Sequence, residues 1–90
     1  MEQARILNEI KIERMRQDKK WGAIASRSHE HLYWLAVLME EVGEVATAIW
    51  EFVTNREKVQ GVNHPIEPIK TELIQCAAVI VAWLEDKFDD

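Results

Sequence analysis

Residues 32–53 read LYWLAVLMEEVGEVATAIWEFV, and they pose the problem that the rest of the chain must answer. Leu35, Val37, Leu38, Met39, Val42, Val45, Ala46 and Ile49 all belong in a core, yet Glu40, Glu41 and Glu44 stand among them. A carboxylate taken out of water costs several kcal/mol unless it is paired, protonated or bound to a metal. Glu40 and Glu44 are one turn apart, Glu41 and Glu44 are i,i+3 neighbours, and all three fall within about 100° of helical arc. Like charges this close destabilise a helix unless something positive lies between them.

Working outward, the apolar spacing predicts a long helix over residues 29–55. Leu32, Leu35, Ala36, Met39, Val42, Ala46, Ile49, Trp50 and Val53 form its broad apolar face, and Tyr33, Glu40, Glu44 and Glu51 form a polar wedge. Ser28 is its expected N-cap, with Glu30 in the first turn, where the helix dipole favours an anion. A first helix is expected over residues 2–18, with Ile6, Leu7, Ile10 and Met15 as a narrow stripe. Residues 19–30 then read as a loop around Gly22, and residues 56–68, with Gly61, Asn63, Pro65 and Pro68, as a second. A third helix is expected over residues 67–88, with Pro68 in its first turn. From Leu73 to Leu84 its one clearly polar residue is Gln75, and Cys76, Ala77, Ala78 and Ala82 allow close helix approach. The chain is therefore all-α, with no strand signal. Three helices cannot cover two such apolar helices, so the pattern predicts a helical bundle completed by further copies, a homodimer or homotetramer.

Ninety residues make one domain spanning residues 1–90, and a chain this short buries only about 60–65% of its unfolded surface. With 48% hydrophobic residues, that limit again favours assembly. The net charge of −5 argues against a nucleic-acid polymer as partner, which requires a basic surface. A small phosphorylated ligand is compatible, because metal ions bridge carboxylates to phosphates. The N-terminus does not read as a signal peptide. The longest apolar run, residues 76–84, is less than half a membrane span, so no membrane partner is expected. The single Cys76 excludes an intrachain disulfide, and a reducing, cytoplasmic setting is expected.

Glu72 is a fourth candidate carboxylate, able to reach the layer of Glu41 and Glu44 if the second and third helices pack antiparallel. Oxygen ligands select a hard cation such as Mg²⁺. His29 and His31 lack the i,i+4 spacing of a zinc helix. The Glu-x-x-His pairs of a di-iron bundle are absent, since Gly43, Thr47 and Gln75 stand where histidines are needed. The competing reading is a solvated acidic strip, with Glu41 or Glu44 paired to Lys or Arg. Arg14, Lys19, Lys20 and Arg27 belong to the basic N-terminal third and are candidate phosphate contacts, and Trp21 is a candidate stacking partner for a base.

Three segments carry a resemblance: Glu40-Glu41-Val-Gly-Glu44, Glu72-Leu-Ile-Gln75 on the next helix, and Arg14 through Gly22 upstream. Together they make the chain similar to the short, single-domain members of the MazG-like all-α nucleoside triphosphate pyrophosphohydrolases. That resemblance implies hydrolysis of a nucleoside triphosphate, deoxynucleotides preferred, to the monophosphate and pyrophosphate. It implies Mg²⁺, with Mn²⁺ as the alternative ion, and active sites shared between chains. By position Glu41, Glu44, Glu72 and Gln75 become metal ligands, and Glu40 becomes a ligand or the base acting on water, so that Glu40 and Glu41 are the catalytic pair. Gln75 stands where the family has aspartate; its amide oxygen still ligates a hard cation but brings one negative charge fewer. A non-catalytic helical module, or a relative that binds nucleotide without turnover, is the alternative function.

Overall fold

The computed structural model describes residues 2–22, 28–58 and 66–88, with 55–58 described by backbone alone. These residues form three helices, α1 (Gln3–Trp21), α2 (His31–Lys58) and α3 (Glu67–Phe88), and no strand occurs among them. The central element is α3. Both α1 and α2 pack on it while touching each other little, so they diverge and leave a cleft above it. Trp34 meets Asp86 at one end of the α2–α3 pair and Glu44 meets Glu72 at the other, which makes these helices antiparallel. The ion pairs Glu9–Lys70 and Arg14–Glu85 advance together, so α1 runs in the same direction as α3.

The core follows from this layout and is small. Trp34, Val79 and Ala82 are its buried centre, with Val37, Leu38 and Trp83 packed around them. Ala78 and Ala82 are fully buried, as the small-residue pattern of the third helix requires for close packing. Burying an indole the size of Trp34 removes about 200 Å² from water, worth roughly 5 kcal/mol at about 25 cal/mol per Å².

Three helix boundaries differ from expectation by more than one residue; one is the end of the second helix, which runs on past residue 55 to Lys58, so residues 56–58 are helix and not loop. The first helix continues through Lys19, Lys20 and Trp21, because no breaker occurs before Gly22 and cations favour a helix C-terminus. Gly22 ends it with φ 94° and ψ 153°, a conformation costly for any other residue, and donates its N–H to the Asp18 carbonyl at 2.8 Å. The second helix starts at His31 instead of His29, with the Glu30 carbonyl accepting the N–H of Trp34. Ser28 is thus not its N-cap, and Glu30 precedes the first turn; the Ser28 side chain hydrogen-bonds to Asp86 instead. The third helix spans the residues expected, with Pro68 in its first turn. Arg27, Gly61, Asn63 and Pro65 lie outside the described residues.

The apolar face expected on the second helix does not enter this core. Leu32, Leu35, Met39, Val42, Ile49, Trp50 and Val53 are exposed, Leu32 by 76% and Trp50 by 70%. The inward side is instead Trp34, Leu38, Glu41, Val45 and Ala48, about 100° further round the helix. A matching exposed stripe on α3 comprises Leu73, Ile80, Leu84 and Phe88. The radius of gyration is 15.5 Å, against about 12 Å for a compact domain of this length, and the extents are 52 × 28 × 20 Å. No helix among the described residues is long and apolar enough to cross a membrane.

Candidate metal centre

Glu41 and Glu44 sit on the side of α2 between its packing face and the cleft, and antiparallel packing carries Glu72 of α3 to the same level. One carboxylate oxygen from each of the three lies within 4.8 Å of the others. The Oε2 atoms of Glu41 and Glu72 are buried and accept no hydrogen bond. Desolvation, then the charges of Glu44 and Glu72, push the Glu41 carboxyl up from 4.5 to about 7, and Glu13 on α1 adds to the same effect. Desolvation and a hydrogen bond with Glu44 also raise Glu72. Burial and the same three carboxylates raise the Cys76 thiol, which places it against the cluster as a neutral neighbour.

Glu41 and Glu72 are half-buried, whereas Glu44 is exposed. Buried lone pairs without a protein partner, and carboxyls raised by burial and by one another's charge, are features that a divalent cation held between these residues would relieve. A cluster of carboxylate oxygens with no neutral nitrogen or thiolate donor suits a hard divalent cation such as Mg²⁺. The residues present therefore fit the group that the sequence resemblance implies.

The cluster borders a cavity of about 700 Å³ between the three helices. From α2 come Glu40, Glu41 and Glu44, and from α3 Gln75 and Val79. From α1 come Glu13, Arg16, Gln17, Lys20 and Trp21, so the helical extension beyond Asp18 is what brings Lys20 and Trp21 to the site. Glu40 is exposed on the wall. Lys20 lies over the Trp21 ring, 4.8 Å from its centroid. The opposite end is aromatic, formed by His29, Tyr33 and Trp34. A smaller hollow of about 240 Å³ between α1 and α3 holds the Lys70–Glu9 ion pair and lacks the converging carboxylates.

Arg14, a candidate phosphate contact from sequence, is placed elsewhere. It is 5% exposed and does not line the cavity. Its guanidinium donates to Glu85 at 3.1 Å and to Asp18 at 3.0 Å, so it ties α1 to α3. The arginine that does line the cavity, beside Lys20, is Arg16, which donates two 2.7 Å hydrogen bonds to Glu13 and contributes to the field at Glu41. Gln17 also donates to Glu13, at 3.2 Å. Sequence reading missed Glu13, Arg16 and Gln17. Their signal is the i, i+3, i+4, i+7 row that ends at Lys20, visible once the helix is continued to Trp21.

Compared with protein-family models, curated proteins and solved structures, the chain matches none.

Proposed function

We propose that the chain is a metal-dependent hydrolase converting (deoxy)nucleoside triphosphates to the monophosphate and pyrophosphate, as its resemblance to MazG-like proteins implies. One observation carries the reading: three carboxylates, two of them with a buried oxygen that has no hydrogen-bond partner, converge beside a nucleotide-sized cavity that is cationic on one wall and aromatic at one end. Glu41, Glu44 and Glu72 would hold Mg²⁺, with the Gln75 amide oxygen beside them. The ion, when bound, neutralises charge building on phosphate oxygens and lowers the pKa of a neighbouring water. Glu40, one residue from the cluster and open to the cavity, takes the proton of the attacking water. Arg16 and Lys20, i,i+4 on α1, meet the triphosphate from the opposite wall. Val37 and Val79 line the cavity between these groups and keep it partly dry, which strengthens every electrostatic contact inside it.

The same reading has the chain work as a homodimer or homotetramer. The exposed apolar stripe of α2 supports this, because a stable interface takes about 800 Å² from each partner and the stripe supplies large side chains along the helix. Binding without turnover is the second reading, favoured by Gln75 lining the cavity where an aspartate would supply charge. A pyrophosphate-release screen across NTPs and dNTPs with Mg²⁺ tests the first reading. Release that disappears in Glu41→Gln and Glu44→Gln, both folded, supports it. Full release in both variants overturns it, and binding without release selects the second reading.

A further inference from the structure

We propose that Asp86, near the C-terminal end of α3, is a positioning residue that fixes a His29–Tyr33 ring stack as the surface on which a nucleobase stacks. Asp86 Oδ2 accepts the backbone N–H of His29 at 2.9 Å and the indole N–H of Trp34 at 2.6 Å. The Ser28 side chain joins the same carboxylate. One carboxylate thus holds three groups at the entrance to α2.

What it holds faces the cavity. The His29 and Tyr33 rings are stacked, centroids 3.8 Å apart and 24° from parallel. Trp34 braces both edge-on, with centroids 5.8 Å away at 76° from His29 and 80° from Tyr33. All three rings line the cavity, and Tyr33 is 45% exposed, so the stack is not core filling. The neighbouring His31 plays a different part: its Nδ1 accepts the Trp83 indole N–H at 2.9 Å, and it does not line the cavity.

Spacing then sets the ligand class. Tyr33 precedes Glu40 by seven residues of continuous helix, about 10 Å of rise. A ligand with a flat ring at one end and phosphates at the other, joined by a sugar, spans that gap. Sequence-tolerant base recognition by aromatic faces is worth about 1–3 kcal/mol per base, roughly 5- to 150-fold in affinity. The three hydrogen bonds hold the Asp86 carboxyl down at about 2, led by the His29 N–H and the Trp34 indole, so the anchor stays ionised at every working pH.

The inference rests on the reading that this cavity takes a nucleoside triphosphate, and the test separates the two. Calorimetry with Mg²⁺ compares α,β-imido deoxynucleoside triphosphates, which resist hydrolysis, with inorganic tripolyphosphate, which has no base. The wild-type chain is expected to bind the nucleotide about 10- to 100-fold more tightly. In Asp86→Ala that ratio falls below about 3 while tripolyphosphate affinity is unchanged. His29→Ala, which leaves the Trp34–Asp86 bond in place, lowers the ratio in the same way and serves as the test if Asp86→Ala fails to fold. An unchanged ratio in the folded variants overturns the proposal, as does equal weakening of both ligands. A wild-type chain that binds both ligands equally overturns it too, yet leaves the triphosphate reading standing. Failure to bind either ligand removes that reading and the proposal with it.

Discussion

Replacing Glu41 with glutamine separates a metal centre from a merely crowded acidic patch, because only the metal centre predicts that Mg²⁺ stabilises wild type more than the variant. In the metal-free protein Glu41 keeps its proton to about pH 7, against an ordinary value of 4.5. The native state therefore binds more protons than the unfolded chain, and stability falls as pH rises from about 4.5 to about 7. The difference of about 2.5 pH units corresponds to about 3 kcal/mol at 1.36 kcal/mol per unit, reduced to about 2 kcal/mol by partial solvent screening. Glutamine has nearly the same shape and carries no charge to desolvate. At pH 8 in EDTA, Glu41→Gln is thus expected to be more stable than wild type by about 2 kcal/mol, or about 10 °C in Tm for a chain this size. Below pH 4.5 the two should melt together.

Mg²⁺ reverses the order. At 100 times its Kd, an ion that binds only the folded state adds about 2.7 kcal/mol to wild type. The variant, lacking a charged ligand at the centre of the cluster, gains little. Thermal melts followed by circular dichroism, at pH 4 and pH 8, in EDTA and in Mg²⁺ at one fixed protein concentration, give all eight values. The reasoning fails if Glu41→Gln is no more stable than wild type in EDTA at pH 8, or if Mg²⁺ leaves wild type unmoved.

Three further outcomes follow from the same geometry. Leu35→Glu combined with Val42→Glu places charge on the exposed stripe of α2 and should shift sedimentation-equilibrium mass to that of one chain, with helix content retained. Arg14→Ala leaves Glu85 and Asp18 without their shared cation and should cost about 2–3 kcal/mol in urea denaturation, with nucleotide Kd unchanged because Arg14 does not line the cavity. Gln75→Asp adds a negative charge one helical turn from Glu72 and should raise Mg²⁺ affinity about tenfold by calorimetry; an unchanged affinity would place residue 75 outside the metal shell.

Helix number, type and order were legible because each helix carries a long apolar period and the connections concentrate Gly and Pro. The end of α1 was not, since Lys19-Lys20-Trp21 is compatible with either a helix end or a loop, and backbone geometry at Gly22 decides between them. The few residues of difference there matter more than their number suggests. They turn Lys20 from a loop residue into the last member of a row with Glu13, Arg16 and Gln17, and so aim α1 at the cavity. Helical phase, not the helix end, separates Arg14 from Arg16. Both are arginines on a basic segment, but helical phase sends one between α1 and α3 and the other to the cavity wall.

Glu40, Glu41 and Glu44 were legible as a group but not as individuals. Helical phase alone places them on one arc, and only a neighbour's position shows which of them is desolvated. That neighbour is α3, and its antiparallel course brings Glu72, Gln75 and Cys76 against one edge of the arc while leaving Glu40 open. The result is an α2 with three different sides about a third of a turn apart. One side, with Trp34, Leu38, Val45 and Ala48, packs on α3; a second, with Tyr33, Glu40 and Glu44, faces the cavity; the third, with Leu35, Met39, Val42 and Val53, is bare. A sequence with apolar residues on both the first and third sides looks like one buried helix with an acidic fault. In the function proposed above that fault is the site, and the third side is a surface whose hydration cost of about 25 cal/mol per Å² a second copy of the chain would remove.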